Sequence, residues 1–169
     1  MDDVFSGGGV RFNLAQANIA KMRAAIDDPS MQGFAENIQR INHLAEVSPG
    51  FIWRYEYSPA DAMSLRAYDK QKIIFNMSVW SSLDALKNYV YKSTHLEFVQ
   101  AKNHWFHELD SAHMVLWWLP EGVVPRVDDA LEKISLINEI GANRLAFNFG
   151  RVFPPPSSSQ SDRFRLRFR

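Results

Sequence analysis

Apolar and polar residues alternate along "FNLAQANIA" (Phe12–Ala20) with the period of two that marks a β-strand. Leu14, Gln16 and Asn18 share one face, and Ala15, Ala17 and Ile19 share the other. The small apolar face predicts a helix packed closely on it. The opposite face holds two amides that need partners. The period then lengthens: Met31, Phe34, Ile38, Ile41 and Leu44 recur at helical spacing and predict a helix over 30–46, with Ser30 as N-cap and "SPG" as its stop. "FIWRYEY" (51–57) reads as a strand, "SPADAMSLRAYDKQK" (58–72) as a polar loop and "IIFNMSVW" (73–80) as a third strand. A helical stretch follows over 81–106, capped by Ser82 and interrupted at the poor helix formers Ser93 and Thr94. "HMVLWWLP" (113–120) is a fourth strand, 124–141 a helix ending at Gly141, and "LAFNF" (145–149) a short last strand.

The order β-α-β-β-α-β plus an extra C-terminal helix predicts an α+β, ferredoxin-like domain. It places two helices on one face of an antiparallel sheet and leaves the other face bare. A bare apolar face must be covered, and a second copy laid sheet to sheet, as a homodimeric α/β barrel, is the usual remedy. The domain runs over 11–153, after a loose, Gly-rich stretch at 1–10. A Pro/Ser linker and basic tail, expected to be disordered, occupy 154–169.

Composition narrows the chemistry. Hydrophobic content of 46% and aromatic content of 13% suit a folded globule. Cysteine is absent, which removes disulfides, thiolate catalysis and cysteine-ligated metals. No apolar run suits a signal peptide or a membrane span, so the expectation is a soluble, cytoplasmic protein. The zero net charge hides an asymmetry: "DRFRLRFR" at the end carries four arginines and one aspartate (+3), and the rest carries 15 basic and 18 acidic residues (−3). The body therefore lacks the basic excess that nucleic acid would require. If extended, the tail alternates Arg with Phe and Leu; an edge strand, a docking arm, attraction to anionic lipid or nucleic acid, and a solvated end are all readings of it.

With Ala15, Ala17 and Ile19 against the helices, Gln16 and Asn18 point into the space between the sheets. Asn76, Ser78 and Trp80 share one face of their strand, and one of the pair Trp117-Trp118 must turn the same way. A face both polar and aromatic suits a ligand cavity better than a dry interface. The amides either satisfy one another or hydrogen-bond an oxygenated small molecule. Arg54 would balance a carboxylate or enolate-like oxygen, or else pair with Glu56 or Glu97. His95, beside the helix interruption, is a candidate general base, against the alternative of a histidine packed at a helix break. His104 and His107 stand at i,i+3, but His95 is out of phase with them, so no metal site is expected.

The stretches "LAQANIA", "PGFIWR", "NMSVWSSLDALKNYVYKSTH", "WF", "VLWWLPEG" and "AFNF" come in an order that resembles an uncharacterised domain-of-unknown-function family. That family belongs with the dimeric α/β-barrel superfamily, and the resemblance covers roughly residues 12–153. It implies the fold and a homodimer. By fold analogy it also points towards small-molecule enzymes such as the antibiotic-biosynthesis and haem-degrading monooxygenases. Family members usually carry Gly-His after the "WW" strand and an arginine pair before "WF"; this chain has Gly122-Val123 and Asn103-His104 instead. The haem-degrading relatives use a strand asparagine, which Asn18 matches, together with a helix tryptophan and a histidine. Those last two positions fall near Tyr89 and near Val99 or Gln100, so haem is not the expected cofactor, and none is. The reading is a small-molecule-binding protein with catalytic candidates His95, Asn18 and Arg54 and binding candidates Gln16, Asn76, Ser78, Trp80, Trp117, Trp118 and Tyr89. Its chemistry would be cofactor-independent oxygenation, or a cyclase- or isomerase-type reaction, on an aromatic or polyketide-like molecule. The alternative is a non-enzymatic homodimer that binds a metabolite or a partner protein.

Overall fold

The computed structural model of the chain describes residues 10–92 and 95–157, and for 95, 96 and 98–100 the backbone alone. The elements run β1 (Phe12–Met22), α1 (Gln32–Glu46), β2 (Phe51–Arg54), α2 (Ala62–Lys70), β3 (Ile73–Trp80), α3 (Leu83–Lys92), α4 (His95–Trp105), β4 (Phe106–His107), β5 (Met114–Pro120) and α5 (Val127–Ile140). The architecture is mixed α+β around one antiparallel sheet of five strands. β1 lies in the middle. It pairs with β3 from Leu14↔Trp80 to Lys21↔Ile73. On its other side it pairs first with β5, from Phe12↔Pro120 to Asn18↔Met114, and then with the two residues of β4.

β2 flanks β3 only along part of its length, opposite Trp80 to Ser78. The Tyr55 N–H still donates to the Met77 carbonyl at 2.8 Å, and there the chain turns away. Among the described residues, Ile73 to Asn76 of β3 thus have no strand on that side. The expected strand over 51–57 stops early for a local reason: the Tyr55 hydroxyl donates to Asp61 at 3.0 Å, and the Ser58 hydroxyl accepts from the Ala60 N–H at 3.3 Å. Those bonds start a helical turn at Pro59 that runs into α2, where a polar loop was expected. Leu65 of α2 is buried, which anchors it.

Both faces of the sheet are covered within the chain. Ala15, Ala17 and Ile19 form one core with Met77, Val79, Val115, Trp117 and Leu119, and this core lies under Ala130, Ile134 and Ile137 of α5. Leu14, Trp80, Leu116 and Trp118 form the other, with Ala45 of α1 and Leu86 of α3. The expected arrangement is therefore reversed. The small face does receive a helix, but it is α5, and the helices over 32–46 and 83–92 sit on the amide face. The second face is consequently not bare, and the argument that a second copy must cover it falls away.

Caps follow the sequence with one shift. Asp28 takes the capping role expected of Ser30, accepting from the Ser30 N–H at 2.9 Å, and α1 begins after the resulting turn. Ser82 caps α3 by accepting from the Ala85 N–H at 3.1 Å. Gly141 ends α5 with φ +75. The last expected strand reduces to isolated bridges, of Phe147 to Leu116, Ala146 to Asn143 and Asn148 to Arg151. Residues 1–9, the pair Ser93-Thr94 and the tail 158–169, including "RFRLRFR", lie outside the described residues. No helix among the described residues is long and apolar enough to cross a membrane.

Candidate functional site

The alternation of β1 and β3 places Gln16, Asn18, Asn76, Ser78 and Trp80 on one face, with Gln16 opposite Ser78 and Asn18 opposite Asn76. Three hydrogen bonds of 2.9 Å join four of these residues. The Trp80 indole N–H donates to the Ser78 hydroxyl, the Ser78 hydroxyl donates to Gln16 Oε1, and Gln16 Nε2 donates to Asn18 Oδ1. Ser78 is the one buried polar side chain among the described residues, and the chain of bonds accounts for its burial. Much of the amide face is thus self-satisfied within one chain. The Asn18 Nδ2 group has no partner among the described residues, nor does the exposed carboxamide of Asn76.

Aromatic rings close one end of this face. Trp80 is fully buried, and Tyr89 of α3 stacks on it with centroids 5.0 Å apart. The Tyr89 hydroxyl donates to the Ile41 carbonyl of α1 at 3.4 Å, and burial pushes its pKa well above the ordinary phenol value. It is a neutral packing group at any physiological pH. Trp118 shares the amide face, but its indole donates to the Phe153 carbonyl at 2.8 Å and its ring packs beside Phe147. Trp117 lies on the opposite face under α5, with its indole N–H enclosed and without a partner among the described residues. Of the two, only Trp118 is on the candidate side, and the C-terminal segment holds it in place.

Arg54 is bound to protein. Its guanidinium reaches Glu46 at 2.6 Å and Glu56 at 2.9 Å, clamping the end of α1 to β2. The expected structural pairing with Glu56 is present, and Glu46, not Glu97, is its second partner. His95 opens α4; its side chain lies outside the described residues. Of the named residues, the fold gathers Gln16, Asn18, Asn76, Ser78, Trp80 and Tyr89, and it leaves Trp117 apart.

A groove of about 690 Å³ runs along the unpaired part of β3. Its floor is Ile74 and Asn76, its apolar wall is Phe34, Ile38 and Ile41 of α1, and its far rim is Arg54–Tyr57 with Leu65 and Tyr68. It wraps the strand edge, because Ile74 and Asn76 face α1 while Ile73 and Phe75 face α2. Sequence reasoning missed this site because it missed α2. The signal was Ser58-Pro59 followed by Asp61, a helix-start pattern. A second hollow of about 440 Å³ lies on the other face between α2 and α5, lined by Tyr68, Ile73, Ile134 and Asn138. No cluster of three or more potential ligands stands ready for a metal ion among the described residues.

Fold and site define a mixed α+β protein whose central strand carries a polar chain beside an open groove. The family is shown by the sequence: residues 13–163 match the model of the domain of unknown function DUF3291, and the chain belongs to that family. A search among curated proteins finds no match.

Proposed function

We propose that the protein binds a small aromatic or polyketide-like molecule in the groove along β3. The observation that carries this reading is the groove itself: an apolar wall from α1 facing the Asn76 carboxamide on the floor, with Asn18 as the cross-strand pair of Asn76 behind the lining. Apolar walls with a few placed polar groups are what small-molecule sites need. Gln16, Ser78 and Trp80 then support the site from behind rather than touch the ligand. Their mutual hydrogen bonds favour binding without turnover, the non-enzymatic reading. The test uses anilinonaphthalene sulfonate as a fluorescent probe, displaced by a panel of aromatic carbonyl compounds. Ile38→Glu puts a charge on the apolar wall and should weaken the probe more than tenfold; unchanged affinity would sink the reading.

The second reading is catalysis of the cofactor-independent monooxygenase or cyclase/isomerase type, in which an enolised substrate itself reacts with oxygen or rearranges. It is favoured by the direction of the hydrogen-bond chain, which ends in a donor where oxyanion charge would develop. It needs a base, for which His95 is the candidate. Oxygen uptake and product mass with each displacing compound, repeated with His95→Ala, test it. A ferredoxin-like sheet within the dimeric α/β-barrel superfamily is proposed with it, and the strand order β2-β3-β1-β5 supports that reading. A homodimer is proposed with it, but α5 would have to lie at or beside its interface. The cytoplasm is the proposed compartment.

A further inference from the structure

We infer that the groove's ligand presents an acceptor oxygen, of a carbonyl, enolate or carboxylate, to the Asn18 side chain. This rests on the proposed binding role and adds the polarity of the ligand to it.

The argument starts at Trp80, whose indole N–H has no acceptor and can only donate. Ser78 Oγ accepts that hydrogen at 2.9 Å, which leaves the serine's single hydrogen for its other contact, Gln16 Oε1. A carboxamide whose oxygen is taken this way offers its NH₂ to the next group, and Gln16 Nε2 donates to Asn18 Oδ1. Asn18 is therefore fixed with its oxygen turned towards Gln16 and its Nδ2 hydrogens turned to the remaining space. Rotation of the Asn18 amide would set two NH₂ groups against each other and break a half-buried hydrogen bond. The bonds all run in the same direction, so each polarises the next and strengthens the terminal donor.

Asn76 is paired across the strands with Asn18 and stands on the groove floor, so a ligand seated there is within one side chain of the Asn18 amide. Asn76 is exposed and has no partner among the described residues, so it can rotate to suit a ligand. Asn18 cannot. Of the two cations lining the groove, Arg54 is already held by Glu46 and Glu56, and Lys72 precedes β3, four residues along the chain from Asn76, which leaves uncharged donors at the Asn18 end. Asn18 thus discriminates by hydrogen-bond polarity: its oxygen already accepts from Gln16, and it offers a donor to a ligand oxygen.

The experiment titrates the full chain, labelled with ¹⁵N, with benzoate and separately with benzylammonium, two probes of one ring size and opposite polarity. Benzoate is expected to shift the Asn18 side-chain NH₂ resonances saturably, along with the backbone signals of Ile74 and Asn76, whereas benzylammonium leaves the Asn18 resonances unmoved. Gln16→Glu supplies an acceptor that turns the Asn18 oxygen outward, and benzoate should then bind roughly ten- to hundred-fold more weakly. Asn18→Asp, which removes the donor itself, should do the same and covers the case in which the change at Gln16 disturbs the fold. Benzoate shifts at Ile74 and Asn76 without any response at Asn18 would overturn the polarity inference and leave the groove standing. Equal responses to both probes would overturn it as well. No response at any of these residues would overturn the groove reading and this inference together.

Discussion

Tyr89 lies over Trp80 with 25° between the ring planes, and its hydroxyl reaches across to the backbone of α1. One phenol therefore ties α3, β3 and α1 together, and desolvation raises its pKa above the ordinary phenol value. Its ionised form is disfavoured in the fold, so the folded state holds this proton when the unfolded state has lost it. The sign follows: stability is complete below the unfolded pKa, near 10, and falls as pH rises beyond it. Tyr55 and Tyr68 are raised too, also through burial, and act in the same direction. The urea midpoint is expected to drop above pH 10, and Tyr89→Phe should shrink that drop. An identical pH profile in the variant would refute the assignment.

Ser78→Ala removes the middle of the polar chain and orphans both the Trp80 indole and Gln16 Oε1. A loss of about 1–3 kcal/mol in urea unfolding is expected. Because the bonds form one chain, Ser78→Ala combined with Trp80→Phe should cost less than the sum of the two, by roughly 0.5–3 kcal/mol. Strict additivity would mean that the bond from Trp80 to Ser78 contributes nothing.

Arg54 was a catalytic candidate by sequence, and its ion pairs make a different forecast. Its side chain is 22% exposed, against 40% for Glu46 and 76% for Glu56. A double-mutant cycle with Glu46 should give a coupling of roughly 0.5–1 kcal/mol, and one with Glu56 almost none. Probe binding in the groove should survive Arg54→Lys. A loss of binding larger than the loss of stability would return Arg54 to the ligand.

Gly50 joins α1 to β2 at φ +85, and a Cβ there would sit 2.5 Å from Ala85 Cβ and 2.6 Å from Ser81 Oγ. Gly50→Ala should therefore cost at least about 2 kcal/mol through backbone strain and collision. Thermal unfolding would show it, and a variant as stable as the parent would mean that the turn relaxes freely.

The alternation along β1 and β3 was legible, because a period of two fixes which side chains share a face. What the alternation cannot state is which helix lies on which face. Ala15 and Ala17 invite a close helix, and both α1 and α5 carry apolar stripes able to answer; only the full topology decides for α5. The amides were legible as a group, and their bond to Trp80 was not, since Ser78 and Trp80 meet through rotamers rather than spacing. α2 was lost because its apolar content is low: Leu65 is buried while Met63 is 84% exposed, so no stripe stands out. Its start was written instead in Ser58, Pro59 and Asp61.

The central place of β1 has a consequence for synthesis. β1 is flanked on one side by β3 and on the other by β5, whose last residue, Pro120, leaves the ribosome about a hundred residues after it. At cellular elongation rates that is a wait on the order of 5–20 s. During it, Leu14, Ala15, Ala17 and Ile19 have no finished sheet to join. Gln16 and Asn18, set among those apolar residues, keep the waiting strand polar along one face, a guard against sticking to a neighbouring nascent chain before its own partners arrive.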